Sequence, residues 1–102
     1  MKEAQIQSQI LSWLNLQPKT YAWRSDTVGI PMNGGLRKAP IRGVSDIICI
    51  RQGRSITIEV KRPGGKISVH QRKFMENVYE AEGYPVVAYS LEDIKSIFKD
   101  LS

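Results

Sequence analysis

GVSDIICIRQGRSITIEVKR, Gly43 to Arg62, is a pair of β-branched runs on either side of Gln52-Gly53. Ile and Val at this density favour strands, and Gly53 supplies the positive φ that a two-residue hairpin turn needs. With the turn there, Asp46 stands opposite Glu59, Val44 opposite Lys61 and Ile48 opposite Thr57; a four-residue loop about the same point keeps that register. Side chains alternate between the two faces of a strand. Asp46, Glu59 and Lys61 therefore project from one face, while Ile47, Cys49, Ile56, Ile58 and Val60 project from the other as core.

Two carboxylates directly opposite each other destabilise a strand pair, and their repulsion pushes one pKa up. A divalent cation between them removes the problem. Mg²⁺ takes oxygen ligands, typically one or two carboxylates plus water and substrate phosphate oxygens. Lys61, two residues past Glu59 on the same face, is placed to hold a water or a phosphate oxygen. The set suits metal-assisted phosphodiester hydrolysis. Each piece has a plainer explanation: an E-x-K in a half-exposed strand, or an aspartate at a strand start. Their coincidence in one register favours a site.

Charge along the chain agrees. The 102 residues carry a net charge of +5. Residues 19–73 hold twelve Lys and Arg against three acids, whereas residues 74–102 hold two against six. A concentrated basic segment is the footprint of a phosphate-backbone binder, or equally a solvated basic face. The candidates for backbone contact are Arg24, Arg37, Lys38, Arg42, Arg62 and Lys66.

The length argues for one domain, residues 1–102. One cysteine, Cys49, and one histidine argue against a disulfide framework and a zinc site, and fit a reducing, cytoplasmic setting. No apolar run approaches the roughly 20 residues that span a bilayer, and "MKEAQIQSQILSW" reads as an amphipathic helix with no export signal.

Residues 2–16 read as a helix with Ile6, Ile10, Trp13 and Leu14 on one stripe, ended by Pro18. "TYAWRSDT" reads as a strand, and 28–42, rich in Gly, Pro and basic residues, as a long loop. After the hairpin, "PGGK" breaks the chain. A helix follows from Ser68 to Ala81, with Ser68 as N-cap and Gln71 as its capping-box partner. "YPVVAY" is a strand and "SLEDIKSIFKDL" a helix capped by Ser90. The expected order is α-β-β-β-α-β-α, an α/β fold with a mixed sheet flanked by helices. Two polar residues have two readings each. Glu3 sits in the inward stripe of the first helix, or is a first-turn acid favoured by the helix dipole. Gln71 caps its helix, or reaches a metal-bound water or a phosphate.

These residues carry a resemblance. G-x-x-D followed by E-x-K is the signature of the PD-(D/E)xK nucleases. "GVSDI", "IEVKRPGGKIS" and "HQRKF", with "EAQIQSQI" and "WRSDTVG", resemble the virus-type replication-repair nuclease (VRR-NUC) family, its small stand-alone phage and bacterial members in particular. The resemblance spans residues 3–90. It implies a restriction-endonuclease-like core. It implies Mg²⁺ or Mn²⁺ held by Asp46, Glu59 and the Val60 carbonyl, with Lys61 as the catalytic lysine. Glu3 would complete the site directly or through water, and Gln71 would be the glutamine beside it. Ser45 stands where the superfamily has proline, at a position that is not a ligand.

Small members of this kind resemble the archaeal Holliday junction resolvases, which act as homodimers on four-way DNA junctions. One site per chain cuts one strand, so cutting two symmetric strands requires a two-fold pair. The implied function is a metal-dependent, structure-specific DNA endonuclease in replication, repair or recombination, acting on branched DNA as a homodimer. In a phage-encoded protein the setting is the host cytoplasm. The alternatives are a nuclease for flaps or duplex, and an inactive DNA-binding module. The intact Asp46, Glu59 and Lys61 argue against the last.

Overall fold

A computed structural model describes residues 1–25, 30–32, 35–37 and 42–101. The elements are α1 (Glu3–Leu14), β1 (Thr20–Arg24), β2 (Ile30–Met32), β3 (Gly35–Arg37), β4 (Ile47–Arg51), β5 (Arg54–Val60), α2 (Val69–Glu80), β6 (Tyr84–Ala88) and α3 (Leu91–Asp100). The main sheet runs β1-β4-β5-β6. β4 is antiparallel to β1 and to β5, while β5 and β6 are parallel. A parallel pair cannot be closed by a tight turn and needs a crossover, which α2 supplies.

The β4–β5 register is the expected one: Ile48 pairs with Thr57 and Ile47 with Ile58. Arg51 pairs with Arg54, leaving a two-residue turn in which Gln52 has φ 50° and Gly53 φ 81°. Positive φ at both central residues matches the right-handed twist of the strands they join. β5 is one of the two inner strands, and every residue from Ile56 to Val60 is buried.

One face of the sheet carries the core. Ile6, Ile10 and Leu14 of α1 and Ile94 and Phe98 of α3 cover Ile47, Cys49, Ile56, Ile58 and Val60. Trp13 meets Phe98 edge to face, with ring centroids 5.5 Å apart, and is only half-buried. The other face lies under α2 on the β6 side, and α2 itself buries no residue fully. Among the described residues, no helix is long and apolar enough to cross a membrane.

Three details differ from the sequence expectation. α1 stops at Leu14, before Pro18, because the Asn15 side chain leaves the helix axis and bonds both backbone groups of Ala22: Nδ2 donates to the carbonyl and Oδ1 accepts from the amide. β1 ends at Arg24, and the residues after Ser25 that were expected to extend it lie outside the described ones. The expected loop at 28–42 contains a separate two-stranded sheet, with Ile30 opposite Arg37, Pro31 opposite Leu36 and Met32 opposite Gly35. Strands of three residues are too short to show a period of two, and their Gly and Pro content reads as breakers. Pro is nonetheless tolerated in an edge strand.

Candidate active site

Asp46 immediately precedes β4. Its backbone carbonyl accepts from Ser25 N at 3.0 Å, which extends the β1–β4 ladder by one step. Its carboxylate turns across to β5, where Oδ2 accepts from Val60 N at 2.7 Å. Charge-assisted bonds of this length hold a carboxylate firmly. The approach to Asp46 is also constrained. Gly43 has φ 73°, and a Cβ there would run into the backbone of His70 and Gln71. The chain thus enters the site strand packed against the first turn of α2. Ser45 is fully buried, and its carbonyl accepts from the Ser25 hydroxyl.

Glu59 is 2% exposed. Gln71 Nε2 donates to its Oε1 at 2.8 Å, and its Oε2 is buried with no hydrogen-bond partner among the described residues. Burial and the facing Asp46 charge push the Glu59 carboxyl from 4.5 up to about 8, aided by a hydrogen bond to Asp46 and opposed by Lys61; Glu3 adds a smaller upward push. As a carboxylate, Glu59 leaves Oε2 unsatisfied beside a like charge, a costly arrangement inside a protein.

Gln71 caps its helix and reaches a site acid at the same time. Its Oε1 accepts from Ser68 N at 2.7 Å, and Ser68 Oγ accepts from Gln71 N at 3.1 Å, which completes the capping box. The amide nitrogen is left over and is aimed at Glu59. A glutamine can do this because its amide has an acceptor at one end and donors at the other.

Glu3 lies in the first turn of α1, half-buried, with Oε2 accepting from Arg62 N at 3.4 Å. It reaches the chain just past Lys61 rather than the Asp46 carboxylate. Lys61 is half-buried, and its backbone amide continues the β5–β6 ladder by donating to Ala88 O at 3.0 Å.

Among the described residues, no three His, Cys, Asp or Glu side chains converge as a metal-ligating group. Two facing carboxylates, one with a buried unpartnered oxygen, nevertheless fit a hard divalent cation that completes its shell with a carbonyl and water.

The basic candidates are dispersed. Arg24 Nη2 donates to Ser8 Oγ at 2.7 Å, and Arg42 Nη1 lies 3.5 Å from His70 Nε2. Arg24, Arg42, Arg62 and Lys66 are all exposed. The side chain of Arg37, and Lys38 altogether, lie outside the described residues.

The sequence reading missed one feature of the site's surroundings. Trp23 pairs with Ile48 and Tyr21 with Ile50, so both aromatics share the Asp46 face of the sheet. Tyr21 is 68% exposed, Ile50 42% and Trp23 38%. The clue was available in Ala22, the small residue that alternates inward between them.

No family model matches this chain, and among curated proteins none matches it in sequence. Its fold is similar to that of a solved structure described as a VRR_NUC domain protein. The TM-score is 0.71 at 19% identity, covering 97% of this chain and 86% of that one. At that identity the likeness establishes the fold: an α/β domain with a four-stranded mixed sheet and three helices, of the kind found in that nuclease domain.

Proposed function

We propose that this chain is a metal-dependent DNA endonuclease of the VRR-NUC family that hydrolyses phosphodiester bonds at Asp46, Glu59 and Lys61. The observation that carries the reading is Glu59: an acid on an inner strand, 2% exposed, facing a second carboxylate, with one oxygen unpartnered. A fold has little structural reason to hold that pair, and a nuclease site has a chemical one. The shared fold with a VRR_NUC domain protein supports it further.

Asp46 and Glu59 would hold Mg²⁺ or Mn²⁺, with the Val60 carbonyl as a third oxygen and Glu3 reaching it directly or through water. The cation supplies charge neutralisation at the phosphate and a more acidic bound water. The chain's own groups do the rest. Val60 N keeps Asp46 aimed at the site, and Gln71 orients Glu59. Lys61 holds the water or a phosphate oxygen as charge develops. Arg24, Arg37, Lys38, Arg42, Arg62 and Lys66 are the candidate backbone contacts.

The finer reading is a homodimer acting on four-way or otherwise branched DNA. The exposed Tyr21, Trp23 and Ile50 beside the site are an apolar patch of the kind that marks interfaces. The test is cleavage of labelled four-way junction, flap, splayed and linear duplex in Mg²⁺, Mn²⁺ or EDTA, with sedimentation over a range of protein concentrations. Junction cleavage by a dimer, abolished by EDTA, is the expected result. Equal cutting of linear duplex removes the junction reading, and activity in EDTA removes the metal.

A further inference from the structure

At the far end of the β4–β5 hairpin, the turn, the end of α1 and the later turns of α3 enclose two adjoining clefts that share Arg51. One, of about 240 Å³, is lined by Trp13, Gln17, Arg51, Lys95, Phe98 and Lys99. The other, of about 70 Å³, adds Gln52 and Arg54. Among the described residues, no acid lines either cleft. The Arg51 guanidinium lies 4.8 Å from the Phe98 ring centre, and Nη1 donates to Thr20 Oγ1 at 3.2 Å. A guanidinium stacked on a ring in this way is fixed in direction, with donors left over.

Among the described residues, Arg51, Arg54 and Lys99 have no carboxylate partner, and Lys95 has only an exposed contact with Glu92 at 3.6 Å. Lys99 in the last turn does complement the α3 dipole, but Arg51 and Arg54 belong to a sheet and gain nothing from it. Four cations around two clefts joined at Arg51 repel one another, and an anion relieves that.

The position of the clefts narrows the choice of anion. Arg54 and Glu59 are five residues apart on β5, roughly 17 Å along the strand. Arg51 and Arg54 also lie on the α1–α3 face of the sheet, opposite the face of Glu59. A phosphate bound here is therefore not the one beside Asp46. We propose that these clefts form a second site for a nucleic-acid phosphate backbone, taken by a different segment of the substrate from the one being cut. The proposal rests on the nuclease reading only for the identity of the polyanion.

The test is the double charge reversal Lys95→Glu/Lys99→Glu, at two exposed positions, with Arg54→Ala as a second variant. Binding of fluorescent four-way junction and of a short duplex is measured in EDTA by anisotropy at two salt concentrations. The double variant is expected to lose about tenfold or more in junction affinity, with a shallower salt dependence, while short-duplex affinity and melting temperature hold. Arg54→Ala is expected to shift the same way by less. Unchanged junction affinity, or an equal loss on both DNAs, overturns the proposal. Inorganic phosphate raising the melting temperature of the parent protein but not of the variants, with DNA affinity unmoved, also overturns it in favour of a small phosphate ligand. Because binding is read without metal, a chain that does not cut DNA still gives the result. A chain that cuts DNA but ignores the reversal defeats this inference alone.

Discussion

Gln71 Nε2 donates to Glu59 Oε1 at 2.8 Å while the carbonyl end of the same amide accepts from Ser68 N. The start of α2 and the orientation of the buried acid therefore depend on one side chain. Gln71→Glu keeps an acceptor for the capping box but turns a carboxylate toward Glu59, so helix stability survives and activity does not. Gln71→Ala loses both. Its melting temperature is expected to fall by several degrees, for a capping loss of about 1 kcal/mol. Cleavage by either variant is expected to fall about tenfold to a hundredfold, the range for a hydrogen bond to a charged group. Thermal melts beside initial cleavage rates separate the two effects.

The raised Glu59 carboxyl sets the pH dependence of the metal-free protein. Between about 4.5 and about 8 the native chain holds a proton that the unfolded chain has released. Stability therefore falls as pH rises through that window, and the loss is complete above about 8. The effect is on the order of a few kcal/mol. Melts in EDTA at closely spaced pH values measure it, and Glu59→Gln should flatten the slope. A slope that is unchanged in Glu59→Gln assigns the effect to another group.

In the proposed function, Lys61 acts on the reacting phosphate rather than on the fold. Lys61→Ala is expected to lower the cleavage rate by about a hundredfold to a thousandfold, the scale of losing one charge-stabilising donor. Its melting temperature, and the rise in that temperature on adding Mn²⁺, should stay near the parent values. A variant that loses the Mn²⁺ shift as well would place Lys61 among the groups that build the metal site.

Gly43 and Gly64 make a matched pair. Both have positive φ, at 73° and 85°. A Cβ at Gly64 meets open space, whereas one at Gly43 meets the backbone at the start of α2. Gly64→Ala should cost about 1 kcal/mol from the left-handed conformation alone. Gly43→Ala should cost clearly more and should also depress activity, because the strand carrying Asp46 must move away from Gln71. Urea titrations of the two variants give the difference directly.

Much of this was legible in the hairpin. Gln52-Gly53 fixes the turn, the turn fixes the register, and the register sets Asp46 against Glu59. Such local rules transmit reliably over a dozen residues. The dual role of Gln71 was not legible. Spacing places it both at a cap position and on the inward face of a helix, and only three-dimensional packing shows that its two ends serve both. Glu3 had two readings from its stripe position, and the structure adds a contact that neither foresaw: its carboxylate accepts from the Arg62 amide, just past the end of β5. The Arg51 clefts were invisible for a related reason. They join residues from α1, the β4–β5 turn and α3, which no short spacing connects. The β2–β3 pair was hidden by its brevity.

The most direct test of the central claim is a calorimetric Mn²⁺ titration of the parent protein, Asp46→Asn and Glu59→Gln near pH 8. Saturable binding by the parent is predicted, weakened in each variant by at least the tenfold to hundredfold typical of losing even an outer partner of a metal. Proton release is expected on binding, since Glu59 must ionise to act as a ligand. Parent protein that takes up no Mn²⁺, or variants that bind it as tightly as the parent, would contradict the assignment of Asp46 and Glu59 as a metal centre.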